Sequence, residues 1–333
     1  MSHILLVGAG FSRNWGGWLA SEVFNALLAF PDIQGDQYLR NLLWSNQHTG
    51  GFENALADVQ RAYLQDAAAH GHHLQVLQQA VLNVFQGMNN AFLEMPGIEF
   101  QQHINRMLRT FLVRFDAIFT LNQDVLLDHH YLNANLGLTA PQRWPNGGQL
   151  PGMRRIPNQQ HAFPAPSWGR DAWVPLQPAE FLIRPLAQPF FKLHGSTNWR
   201  DTQGGQMLVI GGDKSQAIQS HQVLTWYFER FEDYLNRPNT KLMVIGYGFR
   251  DPHINRPIID AISNSGLRFF VINSLGANVV KYANPSFGGA IYAPNELDDA
   301  FHAGLTGASQ RNLLDTFGND AVSHDQVMGF FAN

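Results

Sequence analysis

The sequence predicts an α/β protein built on a parallel sheet covered by helices, and three observations carry that prediction. Short apolar runs recur at residues 4–7, 116–121, 189–193, 241–245 and 268–272, each with the length of a buried strand. Between them lie stretches with the helical spacing of apolar residues, which gives a repeating β-α order. Strand after strand ends in glycine or a small polar residue, which lines one edge of such a sheet with groups suited to a nucleotide.

The opening run, Ile4-Leu5-Leu6-Val7, is four apolar residues followed by Gly8-Ala9-Gly10-Phe11-Ser12-Arg13. The glycines allow a tight turn and a close approach of ligand to backbone. The run 18–30 then carries Leu19, Val23, Phe24, Leu27 and Leu28 on one helical stripe. Strand, glycine turn and helix form the unit that points N–H groups at a phosphate. The same residues also make an ordinary tight turn, and Arg13 stands where the dinucleotide fingerprint has its third glycine. Arg13 fits either a phosphate or a neighbouring carboxylate.

Residues 32–110 read as a helical insertion, with helices over 36–44, 52–69, 74–92 and 99–115 punctuated by Pro31, Gly50-Gly51, Gly71 and Pro96-Gly97. His70, His72 and His73 fall at one of these breaks and read as a solvated turn, since no fourth ligand accompanies them. The second strand, 116–121, runs into Asn122-Gln123-Asp124 and a short helix over 125–131. One of these polar residues serves as a helix cap; two of them directly after a buried strand exceed what capping requires.

Residues 133–189 lose helical periodicity and are rich in Pro, Gly, Trp144, Trp168 and scattered arginines. So long an excursion fits a lid or a subunit contact. The third strand ends in His194-Gly195-Ser196, and 207–210 adds a short strand. An amphipathic helix covers 215–234. The strand over 241–245 ends in Gly246-Tyr247-Gly248-Phe249, and Asp251-Pro252-His253 opens a helix that places His253 in its first turn. The strand over 268–272 ends in Asn273 and is the last clear one; the tail shows helical pieces near 296–305 and 310–317.

Composition narrows the function classes. The chain has 333 residues, so a large core can be buried without covalent staples. Its net charge is −4 without a basic tract, which argues against nucleic-acid binding through phosphate neutralisation. It contains no cysteine, which excludes disulfides and thiolate zinc sites. No apolar run has the length of a membrane span, and no signal peptide precedes the first strand, so a cytoplasmic protein is expected. Only 14% of residues are charged, a composition that fits a homo-oligomer.

Five motifs, Gly8-Ala9-Gly10-Phe11-Ser12, Thr120-Leu121-Asn122-Gln123-Asp124, Lys192-Leu193-His194-Gly195-Ser196, Gly246-Tyr247-Gly248-Phe249-Arg250-Asp251 and Val271-Ile272-Asn273, occur in the order seen in sirtuin-like proteins. The chain most resembles the SIR2-like NADase domains of bacterial antiphage defence systems. The resemblance implies a Rossmann-like NAD-binding core over 1–30, 116–132 and 186–275. It leaves 31–115 as a helical insertion, 133–185 as a loop-rich excursion and 276–333 as a helical tail packed on the core. It implies cleavage of NAD+ to nicotinamide and ADP-ribose, with NAD+ as substrate and no further cofactor. The expected activator is a HerA-like ATPase, an Argonaute or a phage protein. Gly8, Ala9, Gly10, Phe11, Ser12 and Arg13 would hold the pyrophosphate. Asn122 and Asp124 would sit at the nicotinamide ribose with His194 as base, and Gly246, Phe249 and Asn273 at the adenosine half. The chain departs from the deacetylases of that family in having no four-cysteine zinc module and in carrying Leu121 where they have Gln before the catalytic Asn. Both departures leave NAD+ cleavage ahead of protein deacylation. An NAD or ADP-ribose sensor that does not turn its ligand over is the alternative from another class.

Overall fold

A computed structural model describes residues 1–95, 108–157, 167–212, 214–284 and 293–332. Among these, seven parallel strands form the central sheet: β1 (Ser2–Val7), β2 (Ala117–Thr120), β3 (Gly148–Gln149), β6 (Gln188–Lys192), β9 (Thr240–Ile245), β10 (Arg268–Ile272) and β11 (Leu305–Ser309). Their order is β11-β10-β9-β1-β2-β6-β3. The chain builds outward from β1 on one side, then returns to β1's other flank with β9. In open α/β sheets ligands bind at such a reversal, outside the carboxyl ends of the strands. The predicted α/β, Rossmann-like fold is therefore present.

The register fixes what meets at that edge. Val7 pairs with both Thr120 and Ile245, Thr120 with Lys192, and Ile245 with Ile272. The residues that follow, Gly8, Leu121, Leu193, Gly246 and Asn273, are thus brought into one row. β1 is buried from Ile4 to Val7, and all of β2 and β6 is buried, as expected for strands covered on both faces.

Several local expectations are corrected. The break in the insertion lies at Asp66, not at Gly71: Asp66 Oδ1 accepts from Ala69 N at 3.0 Å and caps a helix that runs Ala67–Glu94 through His70, Gly71, His72 and His73. One glycine costs a helix only about 1 kcal/mol, little in one of 28 residues. His73 stacks on Tyr38 with ring centroids 4.5 Å apart. Of the helix expected over 99–115, residues 99–107 lie outside the described residues; Leu108–Leu112 is helical. The helix expected over 215–234 is two, Lys214–Gln219 and Gln222–Leu235. The tail adds β11 to the sheet edge, although β10 reads as the last strand: its Leu-Thr-Gly-Ala-Ser sequence has too few apolar residues to signal burial.

The excursion contributes β3 to the central sheet and two strands, β4 (Met153–Ile156) and β5 (Ala172–Pro175), to a second one. There β5 meets β7 (Gly195–Arg200), which pairs with β8 (Gln206–Leu208). Residues 158–166 of the excursion lie outside the described set.

Candidate active site

The first turn after β1 is built by steric exclusion. A Cβ on Gly8 would lie 2.8 Å from the Gly246 carbonyl oxygen, and one on Gly10 would lie 2.7 Å from Gly246 Cα. Gly246 has φ +67°, and a Cβ there would stand 2.3 Å from Phe11 N. Only glycines let these two strand-end turns interlock. Gly8 N donates to Ile245 O and Gly10 N to Gly246 O, both at 2.9 Å. The backbone between them leaves Ala9 exposed.

Ser12 follows on the short helix Ala9–Ser12 and is buried. It joins two residues from the end of β2: Asn122 Nδ2 donates to Ser12 Oγ at 2.9 Å, and Ser12 Oγ donates to Asp124 Oδ2 at 2.8 Å. Ser12 thus links, in one hydrogen-bonded chain, two residues that lie 110 and 112 positions away in sequence. The loop that carries them is held from all sides. Asn122 N donates to Thr120 Oγ1, Leu126 N to Asp124 Oδ1, and Val125 N to Asn89 Oδ1 of the insertion's long helix. Thr197 N of β7 donates to Gln123 O at 3.1 Å.

Beneath this loop Lys192, the last residue of β6, donates to the Asp124 carbonyl and pairs with Asp128 at 2.8 Å. Lys192 and Asp128 are 0% and 1% exposed at their side chains. Burial pushes the pKa of Asp124 up, against the opposing pull of Lys192 and the Ser12 hydrogen bond. The carboxyl of Asp128 is also pushed up by burial, against Lys192.

His194 stands two residues beyond β6 and is 2% exposed. Leu193 N donates to Thr120 O, which docks this strand end against β2. The imidazole hydrogen-bonds to the Leu121 backbone, next to Asn122, and its Nε2 lies 2.8 Å from His253 Nε2. Burial, then the positive charge of Lys214, lowers the His194 pKa to about 3, so its ring is neutral at physiological pH. Lys214 Nζ is itself clamped between Glu53 and Asp251, each at 2.7 Å. Burial opposes ionisation of Asp251, but Lys214 and then His194 bring its pKa below the usual value.

The remaining predicted residues are placed differently. Arg13 is half-exposed and pairs with Glu22. Phe11 is fully buried and packs on Trp15. Phe249 is buried at φ +53° between Tyr247 and Phe301, with centroids 4.8 and 4.9 Å away. Asn273 is partly exposed; its Nδ2 donates to Tyr247 O at 3.1 Å and its Oδ1 accepts from Leu275 N at 2.9 Å.

Sequence reasoning passed over Lys192, Lys214, Glu53, Asn89 and the contact of His253 with His194. Lys192 carried a signal, a lone cation in an otherwise apolar strand. The others meet only through the fold.

The arrangement combines a buried polar tier, Ser12, Asn122 and His194, with a partly exposed rim of Gly10, Asp124, Gly246, His253 and Asn273. It offers a neutral base, an amide and a carboxyl beside an open glycine turn, which suits bond cleavage at a sugar carbon. Among the described residues no group of three or more His, Cys, Asp or Glu could hold a metal ion, and no helix is long and apolar enough to cross a membrane. Comparison with curated proteins found no match to the chain. Residues 116–276 match the family described as SIR2-like domain, a segment that opens just before β2 and closes just after β10. The matched segment is SIR2-like, and that match supports an NAD-related enzymatic function.

Proposed function

We propose that the protein is an NAD+ hydrolase that cleaves the nicotinamide–ribose bond, and that it acts as the effector of an antiphage, abortive-infection system. The observation that carries the cleavage reading is the convergence of Asn122, Asp124 and Ser12 with His194 at the carboxyl edge of a SIR2-like sheet.

In this reading the glycine turn and Ser12 receive the pyrophosphate, and Gly246, Phe249 and Asn273 frame the adenosine half. Nicotinamide leaves C1′ with the bonding electron pair as a neutral molecule, so no general acid is required. The developing oxocarbenium centre is stabilised by the carboxyl of Asp124. Asn122, whose Nδ2 is anchored on Ser12, presents its amide oxygen to the attacking water or a ribose hydroxyl. The water oxygen bonds to C1′ and its proton passes to the neutral His194 imidazole, then to solvent. The products are nicotinamide, ADP-ribose and one proton.

Unchecked NAD+ loss would kill the host cell. Activity is therefore placed under the control of self-assembly or of an activator such as a HerA-like ATPase, an Argonaute or a phage protein, in the cytoplasm.

The test is release of nicotinamide from NAD+ by the purified protein, alone and with lysates of phage-infected cells, followed by chromatography. Asn122→Ala and His194→Ala are each expected to lower turnover by about 10²-fold or more, the size of a lost positioned acid–base group. Full activity in both variants would refute these roles. Binding of NAD+ without nicotinamide release in every condition would make the domain a sensor.

A further inference from the structure

We propose that His253 is a removable cap on His194: its Nε2–H occupies the lone pair with which His194 would take a proton, and the site turns over only once that hydrogen bond is released. The inference rests on the reading of His194 as the base and adds its regulation.

The tautomer follows from the two partners of His194. A backbone carbonyl can only accept, so the ring nitrogen that meets Leu121 carries the proton. A neutral imidazole has one N–H. Its Nε2, 2.8 Å from His253 Nε2, is therefore the acceptor, and His253 is the donor. Both nitrogens of His194 are engaged in this conformation, and neither is open to a water or a ribose hydroxyl. The rings lie 5.1 Å apart, tilted by 39°, with His194 buried and His253 partly exposed.

The cap is held from outside the site. His253 lies in the first turn of the helix Pro252–Ser265, and the residue before that helix is Asp251. The Asp251 carboxylate does not cap the helix; it binds Lys214, and Lys214 binds Glu53 of the helix Gly51–Gln65. Among the described residues, Lys214 and Asp251 act on the charge of His194, and Glu53 stands behind Lys214. Phe228 closes one side, its ring 5.7 Å from that of His253. A partner that shifts the helix Gly51–Gln65 would pull on Lys214, loosen Asp251 and free the turn that carries His253. The helical insertion is thereby given a task, that of a lever on the base.

The experiment measures nicotinamide release from NAD+ by the full chain without activator. His253→Ala is expected to raise the basal rate by about tenfold, the factor that corresponds to one lost hydrogen bond. His253→Gln keeps an N–H donor near the Nε2 position and is expected to bring the rate back toward that of the parent. Glu53→Gln, which reaches the cap from a distance, is expected to move the rate in the same direction as His253→Ala by a smaller factor. A fall in kcat in His253→Ala with KM unchanged, not reversed by Gln, would place His253 in the productive machinery and overturn the cap. Imidazole ¹⁵N spectra provide a second readout that needs no turnover: His194 should carry its proton on Nδ1 in the parent, and its titration should move upward in His253→Ala. A proton on Nε2 of His194 in the parent overturns the proposal. If no preparation releases nicotinamide under any condition, the hydrolase reading fails, and the spectra alone decide the cap.

Discussion

Replacing Lys192 by methionine isolates a buried charge under the site. Lys192 Nζ lies 2.8 Å from Asp128 Oδ2, with both side chains essentially inaccessible to water, and it also donates to the Asp124 carbonyl. Methionine fills a similar volume but leaves Asp128 without its counter-ion. Breaking a buried pair from one side costs about 3–5 kcal/mol. With an unfolding entropy of ~2.1 cal/mol/K per residue over 333 residues, or about 0.7 kcal/mol/K, the midpoint should fall by ~4–7 °C. The deficit should depend on pH. Burial already raises the Asp128 pKa, so the folded protein binds this proton more readily than the unfolded chain. Stability contributed by the group then falls as pH rises above the unfolded carboxylate range, and removal of Lys192 enlarges that loss. The variant should approach the parent on acidification and differ most near neutrality. The assay is thermal unfolding by circular dichroism at pH 5 and pH 7.5. The double variant Lys192→Met with Asp128→Leu should recover most of the midpoint, since two apolar groups carry no unpaired charge. If Lys192→Met unfolds within a degree of the parent at both pH values, the pair is not the buried anchor described above.

Three further outcomes follow from the geometry. Gly246→Ala forces a Cβ to within 2.3 Å of Phe11 N at a backbone angle of +67°, so it should cost about 2 kcal/mol or more and abolish NAD+ binding measured by calorimetry; an intact, binding-competent variant would refute the interlocked turn. His194, with its pKa lowered to about 3, takes up no proton on folding, whereas its unfolded counterpart protonates below about 6.5. Its stability contribution is complete above that value and is lost as pH falls toward 3, so the urea midpoint of His194→Gln should decline less than the parent's between pH 7 and 5. Phe301→Ala removes a buried ring that lies edge-on to both Phe249 and Phe269, at 4.9 and 5.0 Å, and should destabilise by about 3–5 kcal/mol in a denaturant titration. A loss under about 1 kcal/mol would mean that the tail does not support the turn at Phe249.

Much of the fold is legible because parallel strands buried on both faces are written as continuous apolar runs. Ile4-Leu5-Leu6-Val7 and Phe190-Phe191 belong to such strands, and the small or polar residues after each run mark the sheet's carboxyl edge. Asn122 and His194 stand out for that reason. β11 does not, because an edge strand needs no apolar run, and Gly307 and Ser309 within it read as loop. The second sheet is equally hidden, since β4 and β5 are short pieces of a segment dominated by turn residues. Helix ends moved where a single cap outweighed a glycine, as Asp66 does over Gly71.

The sequence alone determined the layered α/β class, the order of the strand-end motifs and the absence of thiol chemistry, because burial periodicity and composition are local properties of the chain. The tertiary structure decided which of those motifs touch. Register alignment of β1, β2, β6 and β9 brings Ser12, Asn122, Asp124 and His194 to one edge. Parallel strands joined by long crossovers make every such contact non-local, so the Lys192–Asp128 anchor and the pairing of His194 with His253 exist only once the sheet is assembled.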